Sequence, residues 1–350
     1  MDFPTWYRHT PHVALREQVR VLEPAYSLLV RWADHPEQWR AELTHRLRDL
    51  LGLAWEDETI SGPPLSTRPV ACPLDVRELE QVDEEGFSRT RLAYNVEVGL
   101  TAFAWVCVPH DNENPLPAVI CVPSREAEGD ALLGLTGEPD LPGYRYAVEL
   151  AQRGYVVLVP DLRGYGEARD DADGLAATGQ LLGRPLMGMH VWDLSRGVDY
   201  LQTRPEVRSD RIGMTALRPA APAALFTAAL EERVNCTAIS GGLSTLRELV
   251  VARDCFTREA PPPELVPGLL RYADLDDVAC LVAPRPLIMV QSNSDTSVPE
   301  TGVRELFERT KAGFELLGEG VKLETMQVES SEAGCTGQLL RFLDDWLKLP

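Results

Sequence analysis

The sequence predicts an α/β protein with a mostly parallel sheet and helices on both faces, on three observations. Helical and strand-like stretches alternate from about residue 141 to the C-terminus, as successive crossover units do. Several of the strand-like stretches, YVVLVP and PLIMV among them, are continuous apolar runs, the pattern of strands buried on both faces. Polar or glycine-containing clusters come after these runs, which is where an open α/β sheet carries its site.

Taken in order, residues 1–70 read as a helical extension and linker. Pro36–Gly52 places Trp39, Leu43, Leu47, Leu50 and Leu51 at helical spacing before a glycine stop, an amphipathic helix that covers an apolar surface. The Pro-rich SGPPLSTRP then leads to the sheet. RTRLAYNVEV, LTAFAWVCVP and PAVICVP are strand-like, with NENPLP turning between the last two, so the sheet opens with antiparallel strands. Helices are expected over 141–154, 186–203, 222–232, 299–317 and 336–348. Strands are expected at YVVLVP, RIGMTAL, VNCTAISGG, PLIMVQSNSD and VKLETMQVE. Residues 254–267, with PPPELVP, read as a loop or small lid.

Composition narrows the function classes. The chain has 350 residues, 44% hydrophobic and 25% charged, enough for a sizeable core. A formal charge of -20 argues against a nucleic-acid or anionic-membrane partner, because phosphate binding relies on Lys and Arg. No apolar stretch approaches a membrane span and the first residues lack a leader pattern, so a cytoplasmic location is expected. Seven scattered cysteines without a C-x-x-C pair read as reduced and mostly buried. No metal, nucleotide-phosphate or dinucleotide motif is present, and no cofactor is expected. A small-molecule or protein partner, and self-association, stay open.

The central stretch is Ser209–Ala228, SDRIGMTALRPAAPAALFTA, where a short strand turns into an Ala-rich helix. That is the context of a nucleophile elbow, whose apex needs a hydroxyl flanked two residues away by small residues. Here the three positions are Ala216, Arg218 and Ala220. Pro219 comes after the apex, where a backbone N–H would serve an oxyanion hole, and proline has none. An ordinary strand-turn-helix with Pro in its first turn reads equally well from this stretch alone.

Three longer segments, DLRGYGEAR, LMGMHVWDLSRGVDYLQTRPEVRSDRIG and VPGLLRYADLDDVACLVAPRPLIMVQSNSD, with RLRDLLGL before them, resemble the acetyl-xylan-esterase and dienelactone-hydrolase-like branch of the α/β-hydrolases. The resemblance covers about residues 37–347. It implies an α/β-hydrolase domain over 71–350, with an eight-stranded, doubly wound sheet and a serine esterase site at its carboxyl edge. In such proteins Ser, Asp and His occur in that chain order. The serine position falls on Arg218, the acid on Asp295 and the histidine on Glu332. The second oxyanion donor falls on Pro123-Ser124. Only Asp295 is of the expected type, and no histidine occurs after His190.

The resemblance therefore implies a pseudo-hydrolase with a binding or scaffold role. Arg218 flanked by Asp295 and Glu332 would form an ion cluster in the old site, and with both acids buried, Arg218→Ala would cost roughly 3–5 kcal/mol. One alternative is an ester hydrolase with a non-standard nucleophile, drawn from Ser124, Ser240, Ser292, Ser330, Ser331 or Cys335. Another is acid/base chemistry on an anionic substrate at Arg218, Asp295 and Glu332. His190 with Asp193 reads as a surface pair, Ser240 as a turn cap, and RDDADG (169–174) as a solvated acidic loop.

Overall fold

The computed structural model describes residues 11–53, 68–110, 114–123, 129–137, 143–166, 171–252, 265–329 and 332–348. The linker around 61–67, Ser124, most of the 254–267 segment, and Ser330 and Ser331 fall outside them.

Among the described residues, nine strands form one sheet: β1 (Arg77–Glu84), β2 (Phe87–Glu97), β3 (Leu100–Pro109), β4 (Leu116–Val122), β5 (Val156–Pro160), β6 (Val207–Leu217), β7 (Cys236–Ser240), β8 (Leu287–Ser292) and β9 (Leu323–Val328). Their order is β1-β2-β3-β5-β4-β6-β7-β8-β9. The pairings of β1, β2, β3 and β5 are antiparallel, and every pairing from β5 through β4 to β9 is parallel. The count is nine where the resemblance implied eight. The additional strand, β1, is a charged, largely exposed ribbon hairpinned onto β2, without the apolar alternation by which a buried strand is recognised.

Continuous burial of the central strands results from helices on both faces. β5, β7 and β8 are buried at every position. Alternate residues serve different cores. Ile120, Leu158, Met214, Ile239 and Met289 enter one cluster, while Val119, Val157, Ala238, Ile288 and Val290 enter the other. The second face is covered by α4 (Tyr146–Gln152) and α11 (Glu332–Leu347), whose Tyr146, Leu150, Leu339 and Phe342 complete that cluster. The first carries α2 (Pro36–Leu50), α6 (Leu186–Thr203), α7 (Ala221–Leu230), α9 (Leu275–Cys280) and α10 (Glu300–Leu316). The other described α-helices are α1 (Pro11–Arg20), α3 (Gly129–Leu132), α5 (Ala172–Leu181) and α8 (Leu246–Ala252). The start of α4 is at Tyr146, later than the apolar pattern from 141 suggests, and α11 begins at Glu332, four residues before the expected helix.

The amphipathic helix expected at Pro36–Gly52 is α2, and it covers the first core: Trp39, Leu43 and Leu47 are fully buried there. Its end meets α6 at Gly188, where a Cβ would sit 1.8 Å from the Leu51 carbonyl oxygen. Arg48 Nη2 donates to the Leu230 carbonyl at 3.2 Å. Arg285 Nη1 donates to those of Glu231 and Val234 at 2.9 and 3.0 Å. The carboxyl end of α7 is thereby held by two guanidiniums.

Three buried aspartates tie the start of α9 to the elements around it. Asp274 accepts the backbone N–H groups of Leu246 (2.7 Å), Arg247 (3.1 Å) and Leu275 (2.7 Å), so one side chain caps both α8 and α9. Asp277 accepts the Leu28 N–H at 2.8 Å, and Asp276 accepts Arg309 Nε at 2.6 Å. Burial, with the neighbouring Asp276 charge, pushes the Asp274 carboxyl up to about 6, against its backbone hydrogen bonds.

Gly188→Ala drives a methyl into the Leu51 carbonyl and should cost about 1–3 kcal/mol in denaturant unfolding; an unchanged midpoint would refute the close docking of α2 on α6. The folded state holds the Asp274 proton more tightly than the unfolded chain, so this group's contribution to stability falls as pH rises from about 4 through about 6. Wild type should therefore gain on the order of 1 kcal/mol over Asp274→Asn between pH 7.5 and pH 5; parallel pH profiles for the two proteins would show that Asp274 titrates normally.

Candidate functional site

The parallel strands bring their carboxyl ends to one edge. Val122 pairs with Ala216, Leu217 with Ser240, and Ser240 with Val290, so Pro123, Arg218, Gly241 and Gln291 succeed one another along it. β6 ends at Leu217 and α7 begins at Ala221, leaving Arg218, Pro219 and Ala220 to make the reversal. The Arg218 N–H is committed to the Ser240 carbonyl at 2.8 Å. A cis peptide bond joins Arg218 to the exposed Pro219.

Under Arg218 lies the Gly241-Gly242 pair, with φ of 74° and 69°. Cβ atoms built there would stand 3.1 Å from Arg218 Cβ and 2.9 Å from Arg218 Cγ. Glycine serves twice here, for the left-handed backbone and for the close approach. Laid across this turn, the arginine stem brings Nε to 3.9 Å from Asp295 Oδ1, with 28% of the arginine side chain exposed against 2% of the aspartate.

Asp295 sits in the turn after β8 and is held by more than Arg218. Oδ1 accepts the Ser297 N–H at 2.8 Å; Oδ2 accepts Gln291 Nε2 at 2.8 Å and the Gly242 N–H at 3.3 Å. Burial alone would raise this carboxyl, but the bonds from Ser297, Gln291 and Gly242 outweigh it and hold the group below the usual carboxylate range. Asp295 is thus a fixed anion, its lone pairs occupied by neighbours that sequence reasoning missed. The Gly-Gly after an apolar strand is the one legible signal among them; nothing in the composition marks Gln291 or Ser297.

Arg218 and Asp295 come together, and Pro123 is buried at the end of β4. Glu332 is the first residue of α11 instead of part of a loose turn, because the helix starts earlier than its apolar spacing indicates; its side chain lies outside the described residues, as does Ser124. The expected ion cluster is therefore described only as the pair Arg218–Asp295. That pair is 3.9 Å apart and partly solvated, so on its own it is a weak one.

Of the alternative nucleophiles, Ser240 and Ser292 are buried, the latter within 2.7 Å of the Ser294 hydroxyl, and the Cys335 thiol is fully buried in the second core. His190 and Asp193 are not a surface pair. Both are 1% exposed. Asp193 receives a two-pronged bond from Arg163, 2.7 Å on each arm, and His190 Nε2 lies 3.0 Å from the Arg163 carbonyl oxygen. The helical spacing of His190 and Asp193 is legible in the sequence, but the arrival of Arg163 from the turn after β5 is not. Asp171 and Asp173 are exposed, as expected of an acidic loop, although Asp173 belongs to α5. Among the described residues, no three His, Cys, Asp or Glu side chains could hold a metal ion, and no helix is long and apolar enough to cross a membrane.

Beside Asp295, a cleft of about 320 Å³ opens between the ends of β8 and β9 and the first turn of α10. It is lined by Gln291, Ser292, Asn293, Asp295, Val298, Glu300, Val303 and Gln327. Arg218 is not among them.

This sheet order, with a strand-to-helix reversal at the end of β6 and an acid after β8, defines an α/β-hydrolase. The profile of the Abhydrolase family matches residues 64–301, more than half of the chain, and the chain belongs to that family. It is 26% identical over 293 residues to the Bacillus subtilis (strain 168) protein named "Putative hydrolase YtaP", covering 81% of this chain and 96% of that one. Among solved structures it is similar to a Bacteroides fragilis NCTC 9343 protein titled "putative acetyl xylan esterase" (TM-score 0.73, 16% identity, 91% of this chain and 82% of that chain). It is also similar to a CE15 glucuronoyl esterase from Teredinibacter turnerae T7901 (TM-score 0.62, 17% identity, 94% and 90%). The α/β-hydrolase fold is thus the setting in which Arg218 and Asp295 stand.

Substitution at the two residues should separate their roles. Arg218→Ala removes the partly solvated pair with Asp295, worth about 1 kcal/mol by itself, together with the arginine's other contacts. Asp295→Ala strands the Gly242 and Ser297 N–H groups and the Gln291 amide and should cost about 2–3 kcal/mol. A larger loss for the arginine variant in urea titration would restore a buried ion cluster.

Proposed function

We propose that this chain is a non-catalytic member of the esterase-like α/β-hydrolases, in which the strand-to-helix reversal has become a structural element and the retained role is binding. The observation that carries this reading is the reversal itself: its apex is Arg218, whose stem fills the space above Gly241-Gly242 and whose N–H is spent on Ser240. An arginine cannot attack an acyl group as a serine does, and Pro219 has no N–H to offer an oxyanion. Asp295, which by resemblance would orient a histidine, is engaged by Gly242, Gln291 and Ser297. Burial of Ser240, Ser292 and Cys335 gives no support to a substitute nucleophile among the described residues.

The test is intact-mass analysis after exposure to a fluorophosphonate, with a serine-containing relative treated in parallel. No adduct is expected on this chain while the relative is labelled fully. Stoichiometric labelling, mapped to a serine, would overturn the proposal.

A further inference from the structure

The cleft beside Asp295 has a definite chemical character. Its buried floor is made by Gln291 and Ser292, 3% and 2% exposed, and its rim by Asn293, Glu300 and Gln327 from three different elements. Two of the three carboxamides have their nitrogens committed. Gln291 Nε2 donates to Asp295 Oδ2 at 2.8 Å, and to the Ser292 carbonyl at 3.3 Å. Asn293 Nδ2 donates to Glu329 Oε1 at 3.2 Å. Gln291 Oε1 and Asn293 Oδ1 are the ends left over, and both are pure acceptors. Gln327 adds a third carboxamide.

Charge points the same way. Asp295 and Glu300 contribute two carboxylates to the lining, Glu329 stands next to Asn293, and among the described residues no lysine, arginine or histidine lines the cleft. Arg218 approaches Asp295 through Oδ1 and does not line the cleft. A surface rich in acceptors and anions repels carboxylates and phosphates and favours a ligand that brings both positive charge and several N–H donors. The apolar contribution is limited to Val298 and Val303, enough to pack a short alkyl chain but without an aromatic platform.

We infer that the cleft between β8, β9 and α10 binds a small protonated amine, its ammonium group donating to the carboxamide oxygens of Gln291, Asn293 and Gln327 with Glu300 as counter-charge. The site deepens the binding role proposed above and rests on it, yet its geometry does not depend on the state of Arg218. A volume of about 320 Å³ lies at the lower end of small-molecule sites and suits a chain of a few carbons.

Titration calorimetry on the full chain tests this with 1,4-diaminobutane, its neutral isostere 1,4-butanediol, and succinate as the anionic counterpart. One saturable site is expected for the diamine at low ionic strength, weakened by added salt, with no heat from the diol or succinate. Glu300→Gln should weaken diamine binding about tenfold and Gln327→Leu severalfold. Glu80→Gln, on exposed β1 at the opposite sheet edge, should leave it unchanged. All three positions are exposed, and melting curves would verify that the variants fold.

Equal binding of the diol, unsaturable uptake, an unaltered Glu300→Gln, equal loss in Glu80→Gln, or no diamine heat at millimolar concentration would each overturn the inference. Diamine binding together with a fluorophosphonate adduct would retire the non-catalytic reading and leave the amine site standing. No adduct and no diamine binding would do the reverse.

Discussion

Strands without a wet face govern where this protein can place its polar chemistry. β5, β7 and β8 are buried along their whole length, β4 from Ala118 to its end, and β6 from Ile212 to Ala216. A parallel strand of this kind can place polar groups only beyond its ends, where backbone and side chains meet solvent again. Arg218, Gly241, Gly242, Gln291 and Asp295 are neighbours for that reason, although up to 77 residues separate them, from 218 to 295. The helices answer the same demand. α7 is small-residue-rich and buried except at Pro222, and guanidiniums from α2 and from Arg285 take up carbonyls at its carboxyl end.

Within that edge, space and hydrogen bonding assign the roles. The left-handed glycines let the Arg218 stem lie down, which brings a cation toward Asp295 without making a tight pair. Asp295 owes its ionised state to neutral donors more than to the arginine, since two backbone N–H groups and a carboxamide reach it at hydrogen-bonding distance. The same Gln291 amide that steadies Asp295 leaves its oxygen for the cleft. A residue that would orient a base in an esterase is thereby built into the wall of a polar cleft.

The fold is largely legible in the sequence, for definite reasons. Continuous apolar runs such as VVLVP and LIMV can be satisfied only between two helical layers, and α2 declares its buried stripe through Trp39, Leu43 and Leu47. β1 is not legible, because RELEQVDE gains its place from pairing with β2 and not from burying side chains. His190 and Asp193 read as a surface pair for a related reason: a helix face rich in polar residues looks solvated until Arg163, about thirty positions earlier, arrives to neutralise it. Of the site, residue types are readable at Arg218, Pro219 and Asp295, but not how firmly each is held.

The residue types at the strand-to-helix reversal are fixed by the sequence: Arg218 brings no hydroxyl and Pro219 no N–H, whatever surrounds them. The sequence also determined the layering, because periodicity is local and apolar burial is its direct consequence. Tertiary structure alone decided that Asp274 caps two helices at once, that Gly242 and Gln291 serve Asp295, and that a cleft rich in acceptors opens beside it. Each of these joins groups from separate elements, and hydrogen bonds between such groups form only once the sheet has fixed the distances between strand ends.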